Sequence, residues 1–249
     1  MFTKVKSEQE INDMRISGQM LASVLQFLKP RVQVGITTKQ LADEAARELK
    51  KLGGKPAFLG YGGFPDVICI SINEEVVHGI PGREVIADGD LVSLDFGVNY
   101  NGMITDAAIT VVAGETSGTK RRLLKGTEEA LLAGISVVKD GVRTGDIGAA
   151  VEKVMIQYGF GIVRDLVGHG VGHEVHEEPD VPNYGIAGTG KKLAKGMTIA
   201  IEPMSTLGSE RVVMDSDGWT IKTYDNSLSA HFEHTILILE DSAEILTLK

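Results

Sequence analysis

The chain has 249 residues, 43% apolar and 24% charged, with a net charge of −9. These are ordinary globular values, and the acidic balance excludes a broad nucleic-acid-binding face, which needs a basic surface. The one cysteine, Cys69, excludes a disulfide framework within the chain and makes a reducing, cytoplasmic setting the expectation.

The opening MFTKVKSEQEINDMR lacks the apolar stretch of a secretory signal, and no run approaches the ~18 apolar residues of a membrane span, so neither is expected. Ile11, Met14, Leu21, Val24, Leu25 and Leu28 are spaced for a helix over 8–28. A second helix is predicted from about Thr37, with Gln40 completing a capping box, to a stop at Gly53-Gly54. The Gly- and aromatic-rich KPAFLGYGGFP reads as a loop. Strands are predicted over Val67–Ile72, Leu91–Val98 and Met103–Val112, the last two joined by an Asn99-Tyr100-Asn101-Gly102 turn. Helices follow at about 120–138 and 145–158, and the chain is mostly strand-like from Thr198 onward. No segment has the composition of a linker, so residues 1–249 are expected to form a single domain.

The order of elements repeats. GITTKQLADEAARELKKLG (35–53) resembles GVRTGDIGAAVEKVMIQYG (141–159) at a constant offset of 106, matching Gly35 with Gly141 and Gly53 with Gly159. DGDLVSLDF (88–96) matches KGMTIAIEP (195–203), pairing Asp95 with Glu202. NEEVVHG (73–79) matches GVGHEVHE (170–177), setting His78 against His176, and TDAAITVV (105–112) runs beside FEHTILIL (232–239), pairing Asp106 with Glu233. The same order in both halves implies two similar α+β halves whose matching carboxylates converge between them, a usual place for a ligand.

Asp95 and Asp106 sit in apolar strand patterns, SLDFGV and MITDAAIT. A charge there is costly unless it is paired or metal-bound. A hairpin turning between residues 100 and 101 sets the two directly opposite; a turn one residue later leaves them diagonal on one face. Facing carboxylates repel, and a divalent ion removes that penalty. With Glu202 and Glu233 the repeat supplies four carboxylates; taken alone, either glutamate reads as a surface residue. LVGHGVGHEVHEEP (166–179) adds histidines: His169 between two glycines as a ligand, His176 as a non-ligand catalytic residue, His173 as a surface or hydrogen-bonded side chain. His231 and His234, flanking Glu233, read as packing or ligand-supporting residues. Oxygen ligands with one imidazole suit transition metals. Cys69 lies in the apolar ICISI run and reads as a buried wall.

SLDFGVNYNGMITDAA, GHGVGHEVHEEP, GMTIAIEPM and WTIKTYDNSLSAHFEHT resemble the metal-binding motifs of type I methionine aminopeptidases, and FPDVICISINEEVVHGIP resembles their substrate-side segment. The likeness runs from EINDMRISG to EILTL. It implies the pita-bread α+β fold, two pseudo-symmetric α/β halves with a curved antiparallel sheet around a dinuclear metal centre. It further implies two divalent ions (Co, Mn, Fe(II), Zn or Ni) held by Asp95, Asp106, His169, Glu202 and Glu233, with Asp106 and Glu233 bridging. The implied reaction removes the initiator methionine from nascent polypeptides whose second residue is small, using a metal-activated water, with His78, His176 and Glu202 as catalytic residues. Phe58, Tyr61, Phe64, Cys69, His78, His176 and Trp219 would contact the substrate. Nascent N-termini and the ribosome are the implied partners; no specific nucleic acid, no membrane and a cytoplasmic monomer are expected. Val175 stands where many members carry Phe, and Phe58 where some carry Cys, which reshapes the pocket wall. Within the same fold the rival activity is cleavage beside proline; outside it, a non-catalytic scaffold that binds peptide ends.

Overall fold

A computed structural model describes residues 2–249. Among the described residues four α-helices form close to the expected places: α1 Glu8–Leu28, α2 Thr38–Leu52, α3 Gly118–Ser136 and α4 Thr144–Tyr158. At the start of α2, Thr37 Oγ1 accepts from the Gln40 N–H (3.2 Å) and Gln40 Oε1 accepts from the Thr37 N–H (2.8 Å), completing the capping box. At the start of α4, Asp146 Oδ2 accepts from the Arg143 N–H at 2.9 Å. Both helices end on a glycine in the left-handed region, Gly53 and Gly159, the stop the sequence signals. Helix α3 starts two residues before its expected position because the Ser117 side chain caps it, accepting from the Lys120 N–H.

The main sheet is antiparallel. Its centre is the pair Met103–Val112 and Glu233–Ile238. Outward from the first lie Leu91–Tyr100 and Cys69–Ile72; outward from the second lie Thr198–Ile201 and Gly168–Gly170. Each half therefore repeats the other across the central pair. Helices repeat the correspondence: Thr38 N–H donates to the Glu84 carbonyl and Thr144 N–H to the Lys191 carbonyl, both at 3.0 Å.

Alternation assigns the two faces of the strands. Val92, Leu94, Phe96 and Val98 pack with Leu21, Leu25, Leu41 and Leu49 of α1 and α2. Ile199, Ile201, Ile236 and Ile238 pack with Leu131, Ile147 and Val151 of α3 and α4. Asp95, Asp106 and Glu233 fall on the opposite face, away from the helices.

Tyr100 pairs with Met103, so the hairpin turns at Asn101-Gly102, whose φ values of 51° and 86° suit a two-residue primed turn. The later of the two turn positions is the one adopted. Asp95 lies opposite Ala108 and Asp106 opposite Gly97, which leaves the carboxylates diagonal on one face. In the second half, His234 pairs with Ile201 and His231 with Met204. Continuing that register sets Glu202 opposite Glu233. The repeat equates Asp95 with Glu202, so the counterpart of Glu233 is Ala108, and the counterpart of Asp106 is His231. The sequence pairing of Asp106 with Glu233 is displaced by two residues. Both carboxylates still face the centre because the displacement preserves the side-chain face.

Candidate metal centre and substrate cavity

A cavity of about 90 Å³ opens on the face opposite the helices. Asp95, Asp106, His169, Glu202 and Glu233 lie at its base. Asp95 comes from the Leu91–Tyr100 strand, Asp106 from Met103–Val112, His169 from Gly168–Gly170 and Glu233 from Glu233–Ile238. Glu202 sits in the break between Thr198–Ile201 and Met204–Thr206, where Pro203 interrupts the strand. Backbone bonds fix Asp106: its N–H donates to Thr235 Oγ1 and its carbonyl accepts from the same hydroxyl, both at 2.8 Å.

Asp95, Asp106 and Glu233 are buried. Asp95 Oδ1, Asp106 Oδ1 and Glu233 Oε1 are out of contact with water and have no hydrogen-bond partner among the described residues. Burial raises all four carboxyls, and their mutual repulsion adds to it for Asp95, Glu202 and Glu233. Asp106 is pushed up to about 7 by burial. His169, lowered to about 3 chiefly by burial, is held neutral and ready to donate a lone pair. Donor atoms of Asp106, His169 and Glu233 all lie within 4.8 Å of one another, and His169 Nε2 is 3.4 Å from Glu202 Oε1. Converging, unsatisfied buried oxygens beside a neutral imidazole fit divalent transition-metal ions.

The expected substrate residues line the same cavity: Phe58, Tyr61, Phe64, Cys69, His78, His176 and Trp219. Phe64 and Trp219 meet edge to face with ring centres 5.2 Å apart. Phe58 packs over Gly97, where a Cβ would stand 2.6 Å from its Cε1, so the strand leaves this ring its place. Cys69 pairs with Asp95 across the strands; burial, then the nearby carboxylates, push its thiol up, which makes it a wall and not a nucleophile. His176 Nδ1 lies 3.0 Å from Tyr61 Oη, and its ring meets that of His169 edge to face, with centres 4.3 Å apart. His78 holds φ of 60°, a strained conformation for a residue with a Cβ, and burial lowers it to about 4.

His173 is hydrogen-bonded, its Nε2 2.7 Å from Glu10 Oε1, and His234 Nδ1 lies 2.9 Å from Thr247 Oγ1. Val77 also lines the cavity and went unmarked in the sequence, although it directly precedes His78 in EVVHG. The Tyr61–His176 contact was also missed, since no local pattern links residues 115 apart. Among the described residues no helix is long and apolar enough to cross a membrane.

The model of metallopeptidase family M24 matches residues 12–240. Methionine aminopeptidase of Clostridium acetobutylicum is 44% identical over 98% of this chain and 98% of its own. Methionine aminopeptidase 1 of Bacillus subtilis is 44% identical over 97% of this chain and 98% of its own. The crystal structure of a methionine aminopeptidase from Thermotoga maritima superposes with a TM-score of 0.98 at 45% identity, covering 100% of both chains. A prolidase from Pyrococcus furiosus shares the fold alone, with a TM-score of 0.81 at 24% identity over 98% of this chain and 65% of that one. Extent of match, fold and the carboxylate-lined cavity agree: the chain belongs to metallopeptidase family M24, among its methionine aminopeptidases.

Proposed function

We propose that the chain removes the initiator methionine from nascent polypeptides, preferring a small second residue. The observation that carries this reading is one cavity with a carboxylate and imidazole base and aromatic walls. Asp95, Asp106, His169, Glu202 and Glu233 would hold two divalent ions. Bound there, the ions supply Lewis-acid polarisation of the scissile carbonyl and a lowered pKa for water.

The chain's own groups do the rest. Glu202 takes the proton from the attacking water and returns it to the leaving amine. Tyr61 Oη donates to His176 Nδ1, which leaves the proton on Nε2 and lets that nitrogen donate to the carbonyl oxygen as it gains charge. His78 contacts the peptide backbone and assists the transfer; its strained φ holds the ring at the cavity wall. Phe58, Phe64 and Trp219 take the methionine side chain, an unbranched thioether suited to an aromatic slot. A bulky second residue would collide near the metal-binding residues. The same reading makes residues 1–249 a single catalytic domain that acts as a cytoplasmic monomer at the ribosome.

The test is release of methionine from Met-Ala-Ser by protein stripped with EDTA and resupplied with Mn²⁺, Co²⁺ or Fe²⁺. Methionine release that depends on the added metal supports the proposal. Turnover of X-Pro peptides in place of Met-Ala-Ser overturns it in favour of a proline-directed peptidase. Metal uptake without turnover of either peptide overturns the enzyme assignment.

A further inference from the structure

His231 is a buried titratable side chain that the mechanism above leaves without a task. It is 1% exposed, and neither ring nitrogen has a hydrogen-bond partner among the described residues. Buried imidazoles ordinarily have at least one. Its Nε2 lies 3.6 Å from Glu202 Oε2 and 3.8 Å from Glu233 Oε2, a few tenths of an ångström beyond bonding distance. The other oxygen of Glu202, Oε1, faces His169 Nε2 at 3.4 Å. Glu202 is thus bracketed by two imidazoles, one at each oxygen.

The backbone of His231 is anchored to the opposite half. Its N–H donates to Thr110 Oγ1 at 2.9 Å, and that hydroxyl donates to the His231 carbonyl at 2.8 Å. Thr110 also meets Ser93 Oγ at 2.9 Å. The ring is therefore set on a fixed strand and aimed at two carboxylates. By the register of the two halves, His231 occupies the position that Asp106 holds in the first half. The three donors close enough to share one ion are Asp106, His169 and Glu233, and His231 stands outside that set.

We propose that His231 is a positioning residue: its Nε2–H, 3.6 Å from Glu202 Oε2 and 3.8 Å from Glu233 Oε2, closes to hydrogen-bonding distance when the site is filled and fixes which of their oxygens face the metals. Such outer partners orient a ligand's lone pairs and commonly govern affinity. The inference rests on the metal-centre reading above.

The experiment titrates metal-free protein with Mn²⁺ and Co²⁺ by calorimetry and records the visible spectrum of the Co²⁺ form. Wild type is measured first; if it binds neither ion, the metal-centre reading itself fails. The variants are His231→Gln, whose amide nitrogen can reach the place of Nε2, and His231→Leu and His231→Asn, which cannot put a donor there. The Leu and Asn variants are expected to bind the tighter ion about 10- to 100-fold more weakly, with an altered Co²⁺ spectrum, and Gln to stay within about threefold of wild type. Should the Leu variant not fold, the Gln and Asn pair carries the same contrast. Wild-type affinity and spectrum in the Asn or Leu variant would overturn the proposal. A Gln variant as weak as Asn would overturn it too, because an imidazole and not a donor would then be required.

Discussion

Asp106→Asn tests the electrostatics of the metal centre without touching the fold around it. The backbone of residue 106 is fixed by Thr235 through both its N–H and its carbonyl, and Asn keeps the shape of the side chain. Burial raises the Asp106 carboxyl from an ordinary 3.8 to about 7. In the metal-free protein the folded state therefore keeps a proton between about pH 4 and 7 that the unfolded state has lost. Stability is present below the unfolded value and is lost as pH rises toward the folded one. Roughly three pKa units at ~1.36 kcal/mol each give a loss of about 4 kcal/mol by pH 8. Asn carries no such penalty, so in EDTA at pH 8 the variant should be the more stable by about that amount, roughly 10 °C in Tm for a chain of this size. At pH 4 the two should nearly coincide. With Mn²⁺ the order reverses, because wild type gains the ion and the variant does not. Urea or thermal unfolding at pH 4, 6 and 8, with EDTA and with Mn²⁺, measures all of this. A variant less stable than wild type in EDTA at pH 8, or a difference unchanged from pH 4 to 8, would refute the reasoning.

Three further outcomes follow from named contacts. Tyr61→Phe keeps the ring but removes the hydroxyl 3.0 Å from His176 Nδ1; kcat should fall about five- to tenfold with KM little changed, the effect of one lost hydrogen bond, and an unchanged kcat would contradict it. Gly97→Ala puts a methyl 2.6 Å from Phe58 Cε1, so the ring must shift, and KM for Met-Ala-Ser should rise on the order of tenfold while metal uptake persists. Lys6→Met removes the buried partner of Glu177, 3.4 Å away. Urea unfolding should show a loss of about 3–5 kcal/mol, partly recovered when Glu177→Gln is added.

Local chemistry made much of the architecture readable beforehand. The Thr37/Gln40 box and the stop at Gly53 act within a few residues and are found as expected, Gly159 ends its helix as its match to Gly53 implies, and the Asn99–Gly102 turn takes the later of its two positions. The duplication located the centre for the same reason, since it matches one local pattern with another. What depended on long-range register was less legible. Asp106 and Glu233 looked equivalent because both are carboxylates in apolar strands. With Asp95 matched to Glu202, the ladders set Asp106 against His231, and no propensity distinguishes a slip of two residues that keeps the same face. For His231 the sequence leaves packing and ligand support open, because its two carboxylate neighbours, Glu202 and Glu233, are set beside it only by long-range register.

The most direct measurement is an anomalous-difference map from crystals grown with Mn²⁺. Two peaks enclosed by Asp95, Asp106, His169, Glu202 and Glu233, with Asp106 and Glu233 between them, are the predicted result. A cavity base without a peak, or peaks held by other residues, would contradict the account.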